Sequence, residues 1–67
     1  MKIVEIQVED IPEMGVVEVY LMGEHVCSDQ EPFHYQDRKT RTKARREALK
    51  RGQELAHQHD CKIGWNF

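Results

Sequence analysis

The chain has little with which to do covalent chemistry. Among its 67 residues serine occurs once, at Ser28, cysteine twice, at Cys27 and Cys61, and tryptophan once, at Trp65. No nucleophile stands beside a general base, and no phosphate loop or paired-carboxylate motif is recognisable, so neither enzymatic activity nor a cofactor is expected. Two widely separated cysteines are too few for a disulfide framework and are expected as thiols in a reducing compartment. No apolar run approaches the roughly 18 residues of a membrane span. The opening Met1-Lys2-Ile3-Val4-Glu5 also lacks the long apolar stretch of a secretory signal. A cytoplasmic protein without a membrane partner is therefore expected. Basic residues are scarce too: residues 1–37 hold nine acids against Lys2 alone.

What the first half lacks is concentrated further on. Eight of the ten Lys and Arg residues lie between Arg38 and Arg51, opposed there by Glu47 only. The formal net charge of −2 thus hides a bipolar molecule, acidic to residue 37 and strongly basic over the next fourteen. A concentrated positive face attracts polyanions, and a negative face repels them or meets a basic partner. At this length one domain with a thin core, residues 1–67, is expected, its stability marginal or supplemented by a partner chain.

Two periodicities organise the chain. Residues 2–9 alternate, with Val4, Ile6 and Val8 on one face and Ile3, Glu5, Gln7 and Glu9 on the other, the pattern of a half-buried strand. Ile11-Pro12-Glu13-Met14-Gly15 breaks it, and alternation resumes with Val17, Val19 and Leu21 against Glu18, Tyr20 and Met22. The two runs predict an antiparallel hairpin. Gly23-Glu24 suits a two-residue turn into a third strand at His25–Cys27, which Ser28 to Pro32 would interrupt before Phe33 and Tyr35 resume it. A helix is predicted from about Arg41 or Thr42 to His59, with Asp37, Thr40 or Thr42 as N-cap. Its Ala44, Ala48, Leu49, Gly52, Leu55 and Ala56 form a core-facing stripe whose small side chains allow close packing. A last alternation sets Cys61, Ile63, Trp65 and Phe67 against Lys62, Gly64 and Asn66, and predicts a final strand beside the hairpin. The expected fold is α+β, a small antiparallel sheet of three to four strands with one helix packed across it, in the order β-β-(β)-α-β.

The basic residues point to phosphate binding. Lys43, Arg46 and Lys50 lie on the outward helix face, Arg45 and Arg51 flank the buried stripe, and Arg38, Lys39 and Arg41 extend the patch into the preceding segment. Part of this charge is answered by the i,i+4 pairs Lys43–Glu47, Glu47–Arg51 and Lys50–Glu54. The bases nonetheless stand near the helix N-terminus, where the macrodipole disfavours cations. Helix stability alone would place acids there, which leaves an anionic partner or the acidic first half of the chain to account for them.

The segment Arg41-Thr42-Lys43-Ala44-Arg45-Arg46-Glu47-Ala48-Leu49 resembles the Lys-Lys-x-Ala-Lys-x-x-Ala-Ala start of the last helix in double-stranded-RNA-binding domains. Thr42 stands where that motif has its second Lys, and only Arg41 and Arg45 are carried over, as phosphate contacts. Three strands followed by a helix also resemble the arm-type DNA-binding domains of phage integrases. In size and plan the chain is similar to small phage-encoded inhibitors, including anti-CRISPR proteins, which act by occluding a surface. The leading expectation is a nucleic-acid-binding or regulatory module using Arg38, Lys39, Arg41, Lys43, Arg45, Arg46 and Lys50. The alternative is a protein-interaction module, an inhibitor or a homodimer, using Glu5, Glu9, Glu18 and Tyr20 on an acidic sheet face.

Two further groups weigh less. His57-x-His59-x-Cys61 and His25-x-Cys27 hold zinc-ligand types, but His57 and His59 lie about 160° apart on a regular helix, and there is no Cys-x-x-Cys knuckle. No metal site is assigned, and both cysteines are read as small core residues. Alternation places Trp65 and Phe67 in the core with Ile63, leaving Tyr20 as the aromatic expected at the surface.

Overall fold

A computed structural model describes residues 2–67, with residues 29 and 30 described as strand backbone only. The elements are β1 (Ile3–Ile11), a 3-10 turn (Pro12–Met14), β2 (Val16–Gly23), β3 (Cys27–His34), α1 (Arg38–His59) and β4 (Lys62–Trp65). The four strands form one sheet in the order β3-β2-β1-β4, and α1 packs across one face. The α+β sandwich agrees with expectation, but the sheet is mixed. β1–β2 and β2–β3 are antiparallel, whereas β4 runs parallel to β1. The reason is the helix, which carries the chain back across the sheet so that β4 must enter in the same direction as β3 and β1.

The first hairpin shows how a single inserted residue redirects a strand. Ile3 pairs with Gly23 and Glu5 with Met22, so Val4 is an extra residue, a β-bulge. Ile3 is thereby buried and Val4 exposed, the reverse of the expected alternation, while Ile6 and Val8 remain fully buried. At the turn Gly15 takes φ +63°, a left-handed conformation suited to glycine. A Cβ there would lie 3.1 Å from the Tyr35 carbonyl, and the Tyr35 N–H donates to the Gly15 carbonyl at 2.9 Å.

The third strand also departs from the simple pattern. β2 and β3 are joined by a three-residue loop, Glu24 to Val26, closed by the Gly23 N–H on the Val26 carbonyl at 2.7 Å, and not by a two-residue turn. β3 then continues unbroken through Pro32, because a second register shift, between Val19 and Tyr20 on β2, absorbs an extra β3 residue. Pro32 is tolerated because β3 is an edge strand.

The helix begins at Arg38, three residues earlier than expected, because Asp37 and Thr40 form a reciprocal capping box. The Thr40 N–H donates to Asp37 Oδ1 and the Asp37 N–H to Thr40 Oγ1, each at 2.9 Å. The bonds that its carboxylate accepts from the Thr40 N–H and hydroxyl hold the Asp37 carboxyl below the ordinary carboxylate range. The predicted stripe is buried as Ala44, Ala48, Gly52, Leu55 and Ala56 against Ile6, Val8, Val17 and Val19. Trp65 is the exception to the predicted core: β4 is an edge strand, and the indole remains 49% exposed while Phe67 packs against the core rim. Among the described residues no helix is long and apolar enough to cross a membrane.

Candidate nucleic-acid interface

The basic segment divides into two sets that the fold treats differently. At 100° per residue Lys39, Lys43, Arg46 and Lys50 fall within an arc of about 60°, opposite the buried stripe, and span about 16 Å of helix. All four are exposed. Among the described residues the one ion pair in this set is Lys43–Glu47, at 3.9 Å between side chains 73% and 50% exposed, a geometry worth little. Among the described residues the expected Glu47–Arg51 and Lys50–Glu54 pairs do not occur. Arg38 is exposed beside this row, and the first turn contains no acid to offset the cations.

Arg41 and Arg45 lie elsewhere, one turn apart on the flank of the helix that faces β1. Both donate through Nε to the same oxygen, Asp10 Oδ2, at 2.8 and 2.6 Å. Asp10 Oδ1 accepts from the Tyr35 hydroxyl at 2.6 Å. The Asp10 backbone is held as well, its N–H donating to Asn66 Oδ1 at 2.8 Å. Arg41 stacks over the Tyr35 ring at 5.5 Å and Arg45 over the Phe67 ring at 5.1 Å, which fixes both guanidinium planes.

Asp10 is the buried charged residue among those described, its side chain 3% exposed. Burial alone would raise its pKa. The hydrogen bonds from Tyr35, Arg41 and Arg45 outweigh that effect and hold it below the ordinary carboxylate value. The same bonds raise Tyr35, whose neutral phenol is the donor, and raise Arg41.

No protein-family model, curated protein or solved structure matches the chain significantly. The geometry of its own residues carries the functional reading.

The candidate residues of the opposite face share one surface. Glu5, Gln7 and Glu9 of β1 lie beside Met22, Tyr20 and Glu18 of β2 on the side of the sheet away from α1. Gln7, Glu9, Tyr20, Met22 and Cys27 line a shallow depression there, and Tyr20 is half-buried. Cys27 is thus exposed on β3 and not a core residue; Cys61, just before β4, packs against the core rim, where burial pushes its thiol pKa up. β3 and β4 are opposite edges of the sheet, which keeps these cysteines apart. Among the described residues no group of three or more His, Cys, Asp or Glu is placed to hold a metal ion.

Sequence reasoning missed Asp10, Tyr35, Asn66 and Phe67 as a constellation. A signal was present for the first: after Ile6 and Val8, Asp10 falls in phase with the buried face of β1. A charged residue in phase with a core face needs a partner, and Arg41 and Arg45, four apart on the flank of the apolar stripe, are that partner.

Proposed function

We propose that the chain is a small non-enzymatic nucleic-acid-binding module whose outward helix row, Lys39, Lys43, Arg46 and Lys50 with Arg38 beside it, contacts backbone phosphates. The observation that carries it is the exposure of this row at the positive end of a helix, where intramolecular electrostatics gives it almost no return. Among the described residues the acidic first half answers Arg41 and Arg45 through Asp10 and pairs with none of the outward row. A phosphate backbone is a linear polyanion that such a row of cations attracts by counterion release.

The test is binding to labelled oligonucleotides as a function of salt. Contact with four phosphates gives a log–log salt slope of about −3 on a single strand and about −4 on a duplex. Lys43→Glu/Arg46→Glu, at two exposed positions, keeps the helix content and loses binding at least about ten-fold. Binding that is unchanged in this variant, or no binding at low salt, refutes the proposal.

The uncovered acidic face supports a second reading, a protein-interaction module or inhibitor in which Glu5, Glu9, Glu18 and Tyr20 meet a basic partner or a second copy. The two are separated by Glu5→Lys/Glu18→Lys. Under the first this variant binds nucleic acid more tightly, through reduced repulsion; under the second it loses its protein partner and leaves nucleic-acid affinity unmoved.

A further inference from the structure

The Asp10 cluster leaves two guanidinium groups half used. Each arginine spends its Nε–H on Asp10 Oδ2, and among the described residues none of their four terminal amines has a partner. A guanidinium is planar, and its two terminal amines lie on an edge that faces away from the Nε–H bond. Two cations share one carboxylate, so the pair carries a net positive charge. Their side chains are 36% and 37% exposed, open enough for a ligand to reach the amines while the stacked rings of Tyr35 and Phe67 hold them in place. This is the chemistry of a fork for a phosphate-type oxyanion.

An aromatic surface stands next to that fork. Trp65 is paired in parallel register with Val8, whose side chain is buried under the helix, so the indole lies on the helix side of the sheet at its β4 edge. Phe67, the ring beneath Arg45, is two residues further along the same side, which is about 7 Å in extended chain. The fork over Phe67 and the indole of Trp65 are therefore neighbours on one side of the sheet, as a nucleotide's phosphate and base are neighbours in one unit. The half-exposed Trp65 offers a free aromatic face on which a base can stack.

We propose that the β4 edge binds one unstacked nucleotide unit, its phosphate on the terminal amines of Arg41 and Arg45 and its base against Trp65. The inference deepens the nucleic-acid reading by naming its substrate class as single-stranded, because a base within a duplex presents no free face for stacking. The outward row adds sequence-independent attraction, and the β4 edge sets the preference for an open strand.

Trp65 is the chain's one tryptophan, so its fluorescence reports on the site directly. The full chain is titrated at fixed ionic strength with a short single-stranded oligonucleotide, the corresponding duplex, a nucleoside monophosphate and inorganic phosphate. Saturable quenching by the single strand, with none by the duplex or by inorganic phosphate, is the expected result. Quenching by the monophosphate at equal affinity identifies a free nucleotide as the source; tighter binding of the oligonucleotide identifies a strand. Trp65→Leu, at an exposed position, lowers single-strand affinity about ten-fold by anisotropy and leaves duplex affinity unchanged. Arg41→Lys/Arg45→Lys, which keeps the charge but removes the forks, abolishes saturable quenching. Single-strand binding that leaves Trp65 fluorescence unaltered overturns the site while the outward-row reading stands. Quenching that survives Lys43→Glu/Arg46→Glu at full affinity keeps the site and refutes the outward row. Absence of quenching by every ligand overturns the site.

Discussion

Asp10→Ala lowers the stability of the fold by about 2–3 kcal/mol, equivalent to roughly 10–20 °C in Tm for a domain of this size. Removing one partner of a buried ion pair costs about 3–5 kcal/mol when the remaining charge stays buried. Here the survivors are Arg41 and Arg45, each about one-third exposed, and they recover hydration by swinging outward, which places the cost at or just below the lower end of that range. Tyr35 loses its acceptor at the same time, and the stacking of Arg41 on Tyr35 and Arg45 on Phe67 loosens with it. Since a core this small supplies only about 3–5 kcal/mol in total, a substantial unfolded fraction is expected at 37 °C. Thermal melts followed by circular dichroism decide the matter. A loss below about 0.5 kcal/mol, the ordinary range for a surface substitution, would mean that the cluster does not hold the helix to β1.

The pH dependence carries the sign of the same interaction. The folded-state pKa of Asp10 is depressed, so its contribution is fully present above the unfolded-state value of about 4 and is lost as pH falls through the folded value. Asp37, also depressed, acts in the same direction. Tyr35 is raised, so its contribution is complete below about pH 10 and is lost as pH rises through its folded value. A plateau between roughly pH 5 and 9 follows, and Asp10→Ala flattens the acid limb because the group that titrates is gone.

How much was legible in the sequence follows the range of each determining interaction. β2 reads correctly from Val17, Val19 and Leu21 because regular alternation is a local property. The helix stripe reads correctly for the same reason, and so do its alanines and Gly52. β1 reads correctly at Ile6 and Val8 but not at Ile3 and Val4, because the bulge at Val4 is defined by the pairing of Ile3 with Gly23, a relation between strands that neither strand displays alone. Alternation puts Trp65 on the right side of the sheet but in the core, because it gives a face and says nothing of whether the strand is central or at an edge. The basic segment shows the same limit: its charge is a matter of composition, but the division between the exposed Lys39, Lys43, Arg46 and Lys50 and the tethered Arg41 and Arg45 depends on where Asp10, 31 and 35 residues away, is placed.

Gly52→Val is expected to cost about 3 kcal/mol, and Gly52→Ala about 1 kcal/mol, although alanine is the better helix former by about the same amount. A Cβ at position 52 would lie 2.7 Å from Val8 Cγ2 and 3.0 Å from Ile63 Cδ1. Val8 is fully buried in the sheet and its short β-branched side chain is restricted at χ1 and packed on all sides, so rotation gives little relief and the helix must move instead. Overpacking of this kind costs about 1–3 kcal/mol, which outweighs the gain in propensity for alanine and compounds with χ1 restriction for valine. The movement has a second consequence. Arg41 and Arg45 reach Asp10 from the flank of this helix, so lifting it stretches the 2.6 Å contact from Arg45 and weakens the cluster that the nucleotide site depends on. If Val8 is the obstacle, Gly52→Ala/Val8→Ala recovers part of the loss, with a coupling of about 1 kcal/mol in a double-mutant cycle. Strict additivity would place the obstacle elsewhere. Observed coupling makes Gly52 the residue that sets helix-to-sheet distance, and therefore the residue that lets one carboxylate on β1 hold two arginines on α1.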